Sequence, residues 1–313
     1  MRRRGASLTI GAMGAPLPLI VARRLVALAA TVVIAPTLAY VVFGALSGSL
    51  GQSAPAAGWD YAVKTFWHLD LGYSGRFEGP MSDVLAWTFP IDVTMVFGSL
   101  LLGMALGVAG GLVAVARSGT VVGRAVQGLA VFLLCCPPYW LPFLFLILFA
   151  PGIAMLVEVP FMSTPNLYRD EPHGFFGWLH LLWVPLVMAA LPVAAQVLRM
   201  TVVSVRDVGD QDFIATARAK GLSEGRVLRR HVLPLVLAPI TALTAANVAL
   251  VITNVTLVEA AWNLPGLYRE LRDVAALQDT DTVQALIVQS TVFIVVANML
   301  ADAVQARLDP TVR

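Results

Sequence analysis

The residues best placed to do chemistry are polar side chains set inside apolar runs. Thr244, Asn247 and Asn254 fall on one helical face, and Gln284, Thr291, Asn298 and Asp302 lie near one stripe of a later run. Gln196 stands alone in a third. Polar groups inside a membrane are costly and mark either a path for cargo or bridges between neighbouring helices. Gln196, Asn247 and Asn254 are the candidate path residues, with both readings open for the two asparagines; the 284–302 stripe reads as bridging. Asp302, near the inner end, reads as a snorkelling or capping residue. Covalent chemistry finds no constellation. His68, His173, His180 and His231 are scattered without metal-ligand spacing. Cys135 and Cys136 are adjacent on a helix, point apart, and read as core packing. No G-x-x-x-x-G-K-[ST] loop is present. No catalytic or metal residue is assigned, and no cofactor is expected on this chain. Nor does any apolar run pair an acid with a base, as a self-sufficient ion-coupled carrier or membrane-embedded enzyme would require.

The elements that must hold these residues are membrane helices. The chain of 313 residues is 58% hydrophobic and 13% charged, with a mean hydropathy of +0.79. Six apolar blocks, at 25–46, 92–116, 125–150, 180–203, 233–257 and 283–304, meet the roughly 20 residues that a spanning helix needs. Lipid leaves no partner for free backbone groups, so each block is expected to be helical. The first is longer than the apolar core of a signal peptide and reads as an uncleaved span. The resulting organisation is an N-terminal tail over 1–24, a first helix over 25–46, an outer segment over 47–91, a five-helix core over 92–306 and a tail over 307–313.

Charge gives the orientation. With the N-terminus inside, 16 of the 21 basic residues and six of the 19 acidic ones face the cytoplasm. Basic loops stay inside, so both termini are expected there. The net charge of +10 inside and −8 outside suits anionic headgroups at the inner face and needs no nucleic acid to explain it. Outside, the amphipathic stretch Trp59–Trp67 predicts a short interfacial helix. The 151–179 segment, with Pro160, Pro165 and Pro172, predicts no regular structure.

The loop over 204–232 is the most informative segment. Asp210 or Asp212 is positioned to cap a helix starting near Phe213. Ala215, Ala217 and Ala219 keep that helix slim, and Gly221 is placed to end it in a left-handed turn. Ser223 caps a second helix leading into the fifth span.

The order Ala215-Thr-Ala-Arg-Ala-Lys-Gly221 resembles the EAA loop of permeases of ATP-binding-cassette importers. The longer string from Asp212 to Leu222, with His231 ten residues beyond Gly221, is similar to the peptide/nickel class. Leu69-Asp-Leu-Gly-Tyr-Ser74, Arg199-Met200, Glu259 with Leu264-Pro-Gly-Leu267, and the residues Asp279, Gln284, Asn298, Asp302 and Asp309-Pro310 extend the likeness over nearly the whole chain. The resemblance implies an all-α integral membrane protein of six transmembrane helices, the transmembrane domain of a type I importer, with a cytoplasmic coupling helix. It implies ATPase contact through Ala215, Thr216, Ala217, Lys220 and Gly221. The implied partners are a second homologous permease, two cytoplasmic ATP-binding subunits that hold ATP-Mg, and an extracytoplasmic solute-binding protein delivering cargo to acidic outer loops. The implied site is a bacterial inner membrane, with peptides as cargo. Ser47-Gly-Ser-Leu-Gly-Gln-Ser-Ala-Pro55 departs from the family's Pro-Gly-Asp-Pro, which keeps nickel, opines or oligosaccharides open as cargo.

Overall fold

The structure, a computed structural model, describes residues 17–47, 54–137, 140–150, 155–156, 174–270 and 279–308. The first part of the N-terminal tail, most of the 151–179 segment with His173, and the terminal 309–313 lie outside the described residues.

Helix α1 (Leu17–Ser47) is followed by α2 (Ala54–Ala62), which continues through a π-turn to Trp67. A short antiparallel hairpin, β1 (Tyr73–Ser74) and β2 (Gly79–Pro80), leads into α3 (Met81–Ala116). Then come α4 (Val121–Cys135), α5 (Trp140–Phe149), α6 (Gly174–Gly209), α7 (Asp212–Ala219) and α8 (Glu224–Val227). A second π-turn joins α8 to α9 (Leu233–Ala246), which is followed by α10 (Val248–Trp262) and α11 (Thr280–Leu308). Among the described residues, five helical stretches are long and apolar enough to cross a membrane, or six where the bent pair α4–α5 counts as one span.

Three expected spans differ in detail. The helix expected from residue 92 starts at Met81, because Met81, Val84, Thr88 and Ile91 bury a helical stripe while Ser82 and Asp83 stay exposed. The block over 125–150 is not one helix but turns by 112° between α4 and α5. Pro137-Pro138 cannot continue the helical ladder and forces the residue before them into extended backbone; Cys136 has φ −71° and ψ 131°. Cys135 is therefore exposed at the end of α4 and Cys136 half-buried, in place of the expected core packing, and both are free thiols. The block over 233–257 breaks at Asn247, whose N–H reaches both Leu243 and Thr244 carbonyls.

The core is built on α3 and α6, which share the most extensive helix contact. Gly103, Gly107 and Gly111 sit at four-residue intervals on the face of α3 that meets α6. A Cβ at Gly103 would stand 2.9 Å from the Ala190 carbonyl oxygen, and one at Gly107 would stand 2.7 Å from that of Ala194. Small residues let membrane helices approach to backbone contact, where dispersion replaces the missing hydrophobic drive. The bundle closes with α9, α10 and α11 around Val236, Ile240, Val251, Val255 and Phe293.

At one end of the bundle, Asp279 ties the hairpin to the start of α11. One carboxylate oxygen accepts from Ser74 Oγ (2.8 Å), Arg76 N (3.2 Å) and Thr282 Oγ (2.9 Å); the other accepts from Thr282 N (3.1 Å), which caps the helix. Arg76 Nε donates to the buried Glu270 at 3.0 Å.

Two outcomes follow. Gly107→Val forces α3 off α6 and, at about 1–3 kcal/mol for overpacking, lowers the thermal midpoint in detergent. Gly128→Val, whose Cβ meets nothing within 4 Å, leaves it unchanged. Burial acts to raise the Asp279 carboxyl, but the Ser74, Thr282 and Arg76 hydrogen bonds outweigh it and hold it below the ordinary range. Its contribution is thus complete above an unfolded value of about 3.9 and is lost as pH falls through the lower folded value. Hydrogen exchange of the 73–80 amides, corrected for intrinsic rates, stays slow from neutral pH to about pH 4 and quickens below it; Asp279→Ala makes it fast at neutral pH.

Candidate functional site

The loop between α6 and α9 folds as two short helices at nearly a hairpin. Gln211, with extended backbone, is the cap residue of α7, and neither Asp210 nor Asp212 caps it as expected. Asp212 is already in the first turn, where its charge faces the positive end of the helix dipole. The far end is a complete Schellman turn: Gly221, at φ 78°, donates its N–H to Arg218, and Leu222 donates to Ala217. Ser223 opens α8 through its carbonyl, without the expected side-chain cap. Arg218 joins the two helices with a forked ion pair to Glu224, at 2.8 and 3.2 Å.

This geometry divides the sequence-derived coupling residues. Ile214 and Ala217 are buried against the bundle, so the Ala217 side chain faces inward. Ala215, Thr216, Lys220 and Gly221 are exposed. Phe213, 42% exposed, stands on the outer face with Thr216 and Lys220, at helical spacings of three and seven. In the sequence Phe213 reads only as a helix start; the burial of Ile214 and Ala217 leaves its ring on the outer face.

The candidate path residues do not gather on one surface. Gln196 is half-buried on α6, while Asn247 and Asn254 are enclosed, and neither Asn254 amide atom has a partner. The face of α10 that opens outward carries Thr253 and Thr256 instead. With Tyr268, Ser290 and Thr291 they line a groove of about 370 Å³ between α10 and α11. The threonine hydroxyls donate back to carbonyls of their own helices and leave their oxygens to the groove.

The structure also brings together two acids that charge counting placed on the outer surface. Asp92 on α3 and Glu259 on α10 are fully buried, with their carboxyls side by side. Asp92 accepts from Leu267 N (3.1 Å) and Gln289 Nε2 (2.8 Å), and Glu259 accepts from Arg269 N (3.0 Å). Gly266 lies directly on the Glu259 carboxyl, leaving no room for a Cβ. The turn Leu264-Pro-Gly-Leu267 is thereby threaded between α3, α10 and α11. Sequence reasoning missed this cluster because its members lie far apart in the chain. The only visible signal was Glu259 followed by Pro-Gly. Among the described residues, no group of three or more His, Cys, Asp or Glu is placed to hold a metal.

Comparison with known proteins fits this arrangement. A putative peptide transport system permease of Brucella abortus (strain 2308) is 29% identical over 249 residues, covering 79% of this chain and 76% of that one. The dipeptide transport system permease DppB of Escherichia coli (strain K12) is 24% identical over 296 residues, 86% and 84% of the two chains. The glutathione transport system permease GsiC of Escherichia coli O6:H1 (strain CFT073) is 28% identical over 255 residues, 79% and 78%. Among solved structures, an inward-facing crystal form of the MetNI methionine ABC transporter superposes with a TM-score of 0.53 at 18% identity. It covers 73% of this chain and 98% of that one, which establishes a shared fold. Residues 100–313 match a family whose span takes in α7, Glu259, the 264–267 turn, Gln289 and the groove, while Asp92 lies just before it. This chain belongs to the binding-protein-dependent transport system inner membrane components.

Proposed function

We propose that this chain is the permease subunit of an ATP-driven importer of short peptides, with both termini in the cytoplasm. The observation that carries the reading is the loop at α7: an exposed Phe213, Thr216 and Lys220 on a helix tied down at its C-terminal end, within a chain of the transport family. The Schellman turn and the Arg218–Glu224 pair hold α7 as a rigid knob. A rigid helix with an exposed aromatic suits insertion into a groove on a second protein, since little ordering entropy remains to be lost. The partner at this loop is a cytoplasmic ATP-binding subunit, one of two, which holds ATP-Mg; a second, similar permease completes the pore. Ala215, Thr216, Lys220 and Gly221 form the contact with Phe213, while Ala217 seats α7 on its own bundle.

Peptides are the favoured cargo because the relatives are named for peptide, dipeptide and glutathione transport. The hydroxyl-lined groove between α10 and α11 supplies acceptor oxygens that read amide N–H groups without regard to side chain, and is the better candidate for the path. Gln196, with partial exposure, stays with it; Asn247 and Asn254 reach a path only if α9 and α10 separate. A solute-binding protein delivers cargo from outside. Glu270 and Asp279 are committed to internal hydrogen bonds, so its docking uses other outer groups.

The test expresses the chain with its genomic neighbours and measures co-purification, ATP hydrolysis and peptide uptake. Phe213→Asp and Thr216→Arg, on exposed positions, are expected to insert normally and to cut peptide-stimulated hydrolysis by about tenfold or more, as loss of an interface anchor does. Uptake that persists in both variants without any associated ATPase would refute the importer reading. A second outcome concerns the buried cluster. Gln289→Leu removes the shorter of two hydrogen bonds to Asp92 Oδ2 and leaves only the longer one from Leu267 N at 3.3 Å, a loss of about 1–3 kcal/mol, read as a lower thermal midpoint with α7 contacts intact.

A further inference from the structure

A second cavity, of about 300 Å³, lies where α1, α2, the β-hairpin and the start of α11 meet. Its walls are positioned firmly. Tyr61 of α2 stacks on Tyr40 of α1, with ring centres 4.4 Å apart and planes within 6°. Asp281 accepts the Tyr73 N–H at 3.0 Å, and Asp70 accepts that of Gly72 at 2.9 Å.

The lining is rich in carboxylates, with the hydroxyls of Tyr40, Tyr61 and Thr65 beside them. Asp60, Asp70 and Asp281 contribute three carboxylates against a single cation, Lys64, which lies 3.6 Å from Asp70. The Gly72 hydrogen bond holds the Asp70 carboxyl below its ordinary range against an opposing desolvation, with Lys64 adding to the lowering. Behind them stands Gln284, 5% exposed, which lines the cavity and whose buried amide oxygen has no hydrogen-bond partner. A buried carbonyl oxygen left without a donor costs about 1–3 kcal/mol, so an enclosed acceptor facing an acidic cavity marks the place of an absent donor. The carboxylates surround the cavity without converging on one point, and among the described residues no metal-holding group forms. The fitting ligand is an organic cation with several N–H donors. A primary ammonium offers three in a compact charge.

We propose that this cavity binds the N-terminal ammonium group of the cargo peptide on the outer side of the bundle, with Gln284 Oε1, Asp60 and Asp281 as its acceptors. The inference rests on the peptide reading above for the molecule that brings the ammonium group. It gives a recognition element common to peptides of every sequence. Asp70 is left to Lys64, and Asp281 keeps one oxygen for Tyr73 N.

The experiment uses the full chain with its partner subunits in nanodiscs and compares binding of trialanine with N-acetyl-trialanine, which lacks the charge. Trialanine is expected to bind about tenfold or more tightly, the scale of a hydrogen bond to a charged group. Asp60→Asn, on an exposed side chain, and Gln284→Met each reduce that preference several-fold while leaving ATP hydrolysis without peptide unchanged. Equal binding of the two peptides, or an undiminished preference in both variants, overturns the site even if peptide is imported. Failed import with the ammonium preference intact and variant-sensitive supports the site and counts against the peptide reading.

Discussion

The constraint on which the rest of the structure depends is the need to satisfy an irregular turn inside the bundle. Leu267 meets Asp92, eleven residues into α3, and Asp92 also meets Gln289, nine residues into α11. At about 1.5 Å per residue, the turn lies roughly 15 Å below the tops of both helices. Backbone outside a helix is tolerated at membrane depth only where protein supplies its partners. Two acids do so here, Asp92 for Leu267 and Glu259 for Arg269, at the expense of burying two carboxyls together. Above them the hairpin closes the structure through Ser74–Asp279 and Arg76–Glu270. The segments that resembled the peptide class, at 69–74, 259–267 and 279, are thus the parts of one interlocked assembly.

Against this polar assembly, the α3–α6 contact is apolar and glycine-based. Its stability comes from close approach: the Gly103, Gly107 and Gly111 faces admit Ala190, Ala194 and Leu198 carbonyls almost to contact. The two devices differ in what they resist. The glycine seam resists separation along its length by dispersion alone, whereas the carboxyl cluster resists sliding, since any shift strands a buried hydrogen-bonding group.

The sequence made the spans legible because an apolar block long enough to cross lipid has one structural solution. The left-handed end of α7 was equally legible, as Gly221 followed an alanine-rich run at the right distance. The Gly103, Gly107 and Gly111 spacing is a local signal for close helix approach. Other features had no local signal. Asn247 breaks a helix without Pro or Gly beside it, and Asp92 and Glu259 look like outer-face acids until the turn at 264–267 is placed between them. Phe213 looked like the first apolar residue of a helix, and only the burial of Ile214 and Ala217 shows that it faces away. Pair interactions across the fold, and the side of a short helix that is left bare, are set by tertiary geometry.

On the importer reading, a displacement at α7 enters the bundle by two routes of unequal stiffness. One runs through α6, which is fused to α3 by the glycine seam and moves with it. The other runs through α8 and α9 to Asn247, where the regular ladder is interrupted and the chain resumes as α10. A helix bends where its ladder is already broken, so the second route is the compliant one. Glu259 lies near the far end of α10, in contact with Asp92 of α3 and with the turn that leads to Glu270. Tilting α10 against the α3–α6 unit therefore shears the carboxyl cluster, and with it the groove between α10 and α11. Asn247, at that break, and Asn254 on α10 have enclosed amides that lack full hydrogen bonding in the present arrangement.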